Sequence, residues 1–139
     1  MVTKGMERIY QEVADILVAI IPENWRNIFL YTEIAEGYQK MFFYYYPKWR
    51  EGPVYSLDMT RMFGIDEREM DSLGDELCDA FKRLHDEFTS NGQEPWTNLT
   101  FMLDEEGKMK VKFNYENISD QDFIERQVKW ETEYLQGAV

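Results

Sequence analysis

The sequence predicts an α+β fold in which an antiparallel sheet of about five strands packs against helices. The chain has 139 residues, the size of one ordinary domain, so residues 1–139 are expected to form a single unit. Apolar residues make up 44% and charged residues 30%, as in a globular protein with a highly charged surface. Helical and strand periodicities follow one another in the order α-β-β-β-α-β-β-α. The simplest arrangement of these elements places the helices on one face of the sheet.

The first element is a helix predicted from about Gly5 to Ile21. Apolar residues recur there at the three-and-four spacing of one buried face. Pro22 ends the helix because proline has no backbone N–H to continue the hydrogen-bond ladder.

A β-hairpin follows, with strands over about Asn27–Ala35 and Tyr38–Tyr46. Both segments are rich in β-branched and aromatic residues, and Glu36 and Gly37 form the turn, where glycine supplies a positive φ. From Met41 onward the second strand is apolar or aromatic on both faces. This pattern fits either a strand covered on both sides or a strand with an exposed aromatic face.

A third, shorter strand is predicted around residues 53–59, and a long helix follows it. Asp66 with Glu69 three residues later is a variant of the capping box, and Gly92 is the stop signal. Between them runs an apolar stripe of Met70, Leu73, Leu77, Phe81, Leu84 and Phe88. At helical spacing, four acidic residues lie within about 80° of one another on the opposite side: Asp71, Asp75, Asp79 and Asp86.

The last elements are a second hairpin and a terminal helix. The hairpin turns at residues 104–107, and Trp96 just before it fills the corner between helix and sheet. Ser119, with Asp122 three residues later, is the predicted cap of the last helix. The strict alternation that defines the two strands comes from Leu99, Phe101 and Leu103 and from Met109, Val111, Phe113 and Tyr115.

The charge of the chain limits its partners. The net charge is -12, and residues 66–139 carry nineteen acidic against eight basic residues. Direct binding to nucleic acid or to an anionic membrane requires clustered Lys and Arg, so neither is expected, and a basic protein is the complementary partner. The longest early apolar run, residues 16–21, is too short for a membrane span or a signal peptide core, and a single cysteine suits the cytoplasm.

No catalytic, cofactor or metal site is predicted. The only histidine, His85, lies beside the apolar stripe without a nucleophile placed by any motif, which favours a packing role. Cys78 falls near the same stripe, where a buried inert thiol is the ordinary interpretation. With one cysteine and one histidine in the whole chain, a zinc site is disfavoured, and the acidic turn lacks the ligand spacing of an EF-hand.

Two candidate surfaces for binding a partner remain. The acidic row Asp71, Asp75, Asp79 and Asp86 is either an interaction surface or simply a solvated helix face. The aromatic run at residues 41–49 is more often core than binding platform. Its length nevertheless predicts that one or two of three tyrosines are exposed as interface anchors, namely Tyr44, Tyr45 and Tyr46.

Several segments together carry a resemblance to a known family. They are a first helix ending in IPENW, the hairpin NIFLYTEIAEG…YQKMFFYY, the helix ELCDAFKRLHDEF and the stretch NGQEPWTNLTFMLDEEGKMKVKFNYE. The chain resembles the YezG family of small bacterial immunity proteins over about residues 6–117, and NGQEPWTNLTF is the most specific part. The segment after Asn117 matches less clearly.

The resemblance implies an antitoxin and not an enzyme. Members of that family are encoded beside large polymorphic toxins, often exported by type VII secretion, whose C-terminal domains are frequently nucleases. It therefore implies a cytoplasmic protein that binds and neutralises the toxic domain of its cognate toxin. A strongly acidic inhibitor suits a nuclease, because the nucleic-acid cleft of the toxin must be basic. The alternative is a non-enzymatic interaction or scaffold domain with no toxin partner, and an enzyme of unrecognised type is a third class.

Overall fold

A computed structural model describes residues 2–35, 37–118 and 122–135. The helices are Lys4–Ile20 (α1), Met59–Phe63 (α2), Glu67–Ser90 (α3) and Phe123–Tyr134 (α4). The strands are Trp25–Ala35 (β1), Tyr38–Pro47 (β2), Val54–Tyr55 (β3), Asn98–Asp104 (β4) and Met109–Asn114 (β5). The predicted α+β class and order of the main elements are confirmed, with α2 as an additional short helix.

The five strands form one antiparallel sheet in the order β3-β2-β1-β4-β5. Strand β1 is central, and its Tyr31 lies opposite Phe42 of β2 on one side and Thr100 of β4 on the other. The β1–β2 hairpin turns as predicted at Gly37, whose φ of +79° favours glycine. Glu36, the other predicted turn residue, lies outside the described residues.

The first face of the sheet is covered by α1 and α3, and the main hydrophobic core lies there. The apolar stripes of both helices pack on Leu30, Leu99 and Phe101, which are fully buried. Helix α3 begins as predicted at Asp66, whose carboxylate accepts a hydrogen bond from the Arg68 N–H at 2.9 Å. Trp96 is fully buried in this core, so its predicted position between helix and sheet is confirmed.

The second face is covered by α4, which corrects the expectation that all helices share one face. Successive residues of β2 point to opposite sides, so Phe43 and Tyr45 join the main core while Phe42 and Tyr44 form a second cluster with Trp130 of α4. Covering the aromatic residues on this face removes their apolar surface from water, which favours the packing of α4 against them. The two-sided pattern of β2 therefore reflects a strand covered on both sides.

The third strand is shorter than predicted. Only Val54 and Tyr55 pair with β2, and the chain then enters a 3₁₀ turn at Ser56–Asp58. The Ser56 hydroxyl accepts a hydrogen bond from the Phe43 N–H at 3.2 Å, so a side chain takes the bond that a longer ladder would have made. The sheet edge ends there.

The beginning of α4 differs from the prediction in its cap. The carboxylate of Asp122 accepts the Ile124 N–H at 3.4 Å and is the observed N-cap. Ser119, the predicted cap, lies outside the described residues.

Candidate functional site

The acidic row lies on the exposed side of α3, as its spacing predicts. Asp71, Asp75, Asp79 and Asp86 are all exposed, and the apolar stripe of the same helix is turned into the main core. None of the four packs against the core, so the charges of Asp71, Asp75 and Asp86 face solvent and are available to a partner. Their placement is compatible with both interpretations of the row, as an interface and as a solvated face.

Basic residues moderate the field of this row. Arg83 pairs with Asp79 at 2.9 Å and with Glu12 of α1 at 2.7 Å. Lys82 is exposed and lies at the three-and-four spacing between Asp79 and Asp86, within the row itself. The helix face is therefore acidic on balance, with its negative charge weakest around Asp79.

One or two of Tyr44, Tyr45 and Tyr46 are predicted to be exposed, and Tyr44 and Tyr45 are not. Tyr44 is 6% and Tyr45 0% exposed, because β2 has a helix on each side. The hydroxyl of Tyr44 donates to Glu131 of α4, and the hydroxyl of Tyr45 donates to Glu23 at 2.6 Å. Both side chains are therefore part of the packed interior.

Tyr46 alone of the three keeps a partly accessible ring. It is half-buried, its ring lies edge-on to Phe29 at 5.9 Å, and the guanidinium of Arg26 lies 5.5 Å from the ring centre. The end of the second face thus presents an aromatic pair beside a cation.

His85 and Cys78 occupy packing positions. The His85 ring meets Trp96 edge-on at 5.1 Å between centroids, in keeping with its predicted packing role. Cys78 is half-buried, and burial together with the nearby Asp75 carboxylate raises the pKa of its thiol. A raised pKa keeps the thiol protonated and therefore a poor nucleophile.

A buried ionic network fastens α4 to the second face. Glu33 of β1 is 0% exposed, and Arg126 of α4 pairs with it through both Nε and Nη2, the Nε contact at 3.0 Å. Tyr31 donates to the same carboxylate at 2.5 Å, and Tyr38 donates to its other oxygen. Three side chains from three elements thus donate four hydrogen bonds to one buried carboxylate.

The network shifts the pKa values of its members in opposite directions. Burial alone would raise the pKa of Glu33, but the hydrogen bonds from Arg126, Tyr31 and Tyr38 outweigh it and hold the pKa below the usual value. Burial and the ionised Glu33 raise the pKa of Tyr38 to about 12. The carboxylate is thus held ionised and its oxygens are occupied by donors, which suits a structural fastening better than proton transfer.

A cleft of about 360 Å³ lies between α4 and strands β4 and β5. Trp130, Lys112 and Lys129 line this cleft. The indole N–H of Trp130 donates a hydrogen bond to Thr100 at 2.9 Å. Sequence reasoning missed this cleft. The available signal was that Asn98 and Thr100 alternate with the core residues of β4 and must face a second layer.

Among the described residues, no group of three or more His, Cys, Asp or Glu side chains is arranged to hold a metal ion. In the same part of the chain, no helix is both long and apolar enough to cross a membrane.

Comparison with known proteins adds a family match over nearly the whole chain. The model of the family described as immunity protein YezG-like matches residues 6–138. The match extends past Asn117 and includes α4, further than the segments that carry the resemblance in the sequence.

Three similar proteins bear informative names. The chain is 33% identical over 130 residues to "Immunity protein YezG" of Bacillus spizizenii, covering 92% of this chain and 81% of that protein. It is 31% identical to "Immunity protein YezG" of Bacillus subtilis, covering 94% and 87%. It is also 30% identical to "Type VII secretion system protein EsaG" of Staphylococcus aureus, covering 79% and 68%.

Proposed function

The chain belongs to the YezG-like family of immunity proteins, and from that premise we propose that it is a cytoplasmic antitoxin for the toxic domain of a cognate secreted protein. The names of the relatives support this proposal, since two are immunity proteins and the third is a type VII secretion system protein. The protein binds the C-terminal domain of the toxin and keeps it inactive. It does so without catalytic turnover.

The single observation that carries the proposal is the family match over residues 6–138. It spans all of the helices and strands from β1 to α4 and most of α1. The likeness therefore concerns the whole fold, including the helix on the second face, and not one shared motif. A likeness of this extent supports a shared mode of action better than a local motif does.

The proposed target is a nuclease domain, and charge supports this finer step. The protein carries -12 overall, with the excess in residues 66–139. A nuclease needs a basic cleft for its substrate, so a strongly acidic protein is steered to it and competes for the path of the phosphates. The same charge opposes direct binding of the antitoxin to nucleic acid or to anionic lipid.

The proposed steering surface is the outer face of α3. Asp71, Asp75 and Asp86 are exposed carboxylates on one side of a helix, and Asp79 adds to them although Arg83 offsets part of its charge. Exposed charges of this kind act mainly on the rate of association. Tyr46 is retained as an apolar contact, while the burial of Tyr44 and Tyr45 argues against a role as anchors.

Neutralisation by binding is also supported by how the polar groups of the fold are used. The buried ionisable cluster around Glu33 is engaged in holding α4, and the thiol of Cys78 is kept protonated. These groups stabilise the structure of the antitoxin. Inhibition then depends on the surface that the folded protein presents to the toxin.

Co-expression in bacteria tests the proposal. The C-terminal domain of a candidate toxin, a large secreted protein whose gene adjoins the one for this chain, is induced with and without the antitoxin, and survival and co-purification are scored. We expect the domain alone to kill, and the antitoxin to restore growth and to co-purify with it. Survival without a complex would contradict binding, and co-purification of housekeeping proteins in place of the toxin would favour a scaffold domain.

A further inference from the structure

A groove of about 240 Å³ runs between α1 and the β4–β5 turn, on a part of the surface separate from the outer face of α3. One wall is the solvent side of α1, with Asp15 and Val18, and the other is formed by Glu105 of the turn and Met109, the first residue of β5. Trp25, the first residue of β1, closes the end. We refer to these five residues as the helix–turn groove.

The apolar lining of the helix–turn groove is open to solvent. Val18 is 53% and Met109 is 39% exposed, although both belong to elements whose other apolar residues are largely turned inward. Trp25 is half-buried beside them. Apolar side chains gathered in a concave site and left accessible are typical of a binding surface, whereas single exposed apolar residues elsewhere need no explanation.

The rim of the groove is acidic, and two of its three carboxylates are available. Asp104, also on the rim, is used by the turn, since its Oδ1 accepts the N–H groups of Glu106 and Lys108 at 2.9 Å each. By contrast, Asp15 accepts one bond from the exposed Gln11 side chain, at 2.9 Å. Glu105 has an ion pair with Lys48 at 3.9 Å, and both side chains stay about half exposed. Contacts this exposed exchange readily for a better partner.

We infer that the helix–turn groove receives a lysine or arginine side chain from the toxin domain, an inference that rests on the proposed function. Such a side chain matches both parts of the site. Its aliphatic stem covers Val18 and Met109, and its cationic head lies between the carboxylates of Asp15 and Glu105. Nucleic acid and anionic lipid are repelled by the same two carboxylates, and a second copy of a chain of charge -12 is disfavoured by its own charge.

The test compares two valines that differ only in where they lie. Val18→Lys places a cation in the groove, while Val128→Lys makes the same change on α4, where the valine is 56% exposed and does not line the groove. A second pair changes less: Glu105→Gln removes a rim charge, and Glu106→Gln removes its neighbour in the same turn. Affinity for the purified, catalytically inactivated toxin domain is measured by calorimetry, and folding by thermal melting.

We expect Val18→Lys to weaken binding about tenfold or more and Val128→Lys to change it less than about twofold, because only the first expels the cationic side chain. Glu105→Gln weakens binding about threefold relative to Glu106→Gln. If Val18→Lys has a lowered melting temperature, the comparison of Glu105→Gln with Glu106→Gln decides whether the groove binds the toxin domain. Equal affinities within both pairs would contradict the inference about the groove but not the proposed antitoxin function. If the wild type does not bind the toxin domain at all, both the inference and the proposed function are contradicted. A change of the free protein from dimer to monomer in Val18→Lys, seen by light scattering, would assign the groove to self-association and also overturn the inference.

Discussion

The two faces of the sheet are packed by different chemistry. On the first face, α1 and α3 bury a mixed aliphatic and aromatic core that includes Leu17, Leu84 and Phe101, all 0% exposed. On the second face, α4 rests on aromatic rings and is tied down by polar bonds, among them the pair of Arg126 with the buried Glu33. A helix of 12 residues has too few apolar side chains for the burial of apolar surface alone to keep it docked on the sheet. The second face therefore depends on hydrogen bonds and an ion pair, whereas the first depends on the close packing of large apolar side chains.

The largest expected effect is the loss of volume from the first face. Phe81 of α3 is 0% exposed and packs edge-on to Phe101 at 6.5 Å, so Phe81→Ala is expected to lower the free energy of unfolding by about 4 kcal/mol. Phe63→Ala on α2, where the ring is 37% exposed, is the control, with an expected loss below about 1 kcal/mol. Urea denaturation measures both. Similar losses for the two variants would mean that the first face is not the main core.

The second expected effect tests the fastening of α4. Arg126→Met strands the buried Glu33 carboxylate and is expected to lower the free energy of unfolding by about 3 kcal/mol. Arg83→Met removes ion pairs with Glu12 and Asp79 whose side chains are 43% to 67% exposed, so it should lose less than about 1 kcal/mol.

A double variant separates the ion pair from simple loss of packing. When Arg126→Met is combined with Glu33→Gln, no buried charge is stranded, so the double variant should lose less than the sum of the two single losses. Strict additivity in urea denaturation would show that the two side chains are not coupled.

Acid should weaken the second face selectively, because the pKa of Glu33 is lower in the folded protein than in the unfolded chain. A group of this kind contributes stability above its unfolded pKa, here about 4.5, and loses it as the pH falls through the folded value. The wild type should therefore lose its advantage over Glu33→Gln below about pH 4.5. The free energies of unfolding of both proteins between pH 3 and 7 give the comparison. A difference independent of pH would contradict the assignment.

The smallest effect on stability is expected from the outer side of α3, which belongs to neither core. Replacing Asp71, Asp75, Asp79 and Asp86 together by Asn should change the free energy of unfolding by less than about 1 kcal/mol. The same variant should associate more slowly with the toxin domain, with a flatter dependence on salt.

The control removes equal charge from exposed acids elsewhere, by Gln at Glu7, Glu94, Glu125 and Glu133. Stopped-flow mixing at low and high salt compares the two variants. Equal rates and equal salt slopes would show that the α3 face is only solvated.

The helices and strands were predictable because local periodicity and capping residues indicate each of them. The stripe of α3 and its cap at Asp66 needed no knowledge of the rest of the chain, nor did the alternation of β4. The face occupied by α4 was not predictable in this way. An amphipathic helix shows that it packs, but not on which side of the sheet, and the two-sided pattern of β2 fitted a covered strand as well as an exposed one.

The candidate site was less predictable than the fold because it depends on contacts between distant residues. Glu33 and Arg126 lie 93 positions apart, and nothing in either local sequence marks the other as its partner. The aromatic run predicts that one or two of Tyr44, Tyr45 and Tyr46 are exposed, but Tyr45 lies in the main core and Tyr44 lies under α4. Neither cover is visible in the local sequence. The acidic row of α3 was found correctly, since exposure on a helix follows from spacing alone. Its role as an interface stays a prediction.

Inhibition by stoichiometric binding is the central claim, and a titration of toxin activity tests it most directly. A fixed concentration of the toxin domain, far above the dissociation constant, is mixed with increasing antitoxin, and cleavage of whichever nucleic acid the domain alone degrades, DNA or RNA, is followed. A gel shift with the same nucleic acid checks that the antitoxin does not shield the substrate. We predict that activity falls linearly and ends at one protomer or one dimer per toxin. Complete loss of activity at a small fraction of that ratio would indicate catalytic turnover and contradict the account, as would full activity at a large excess.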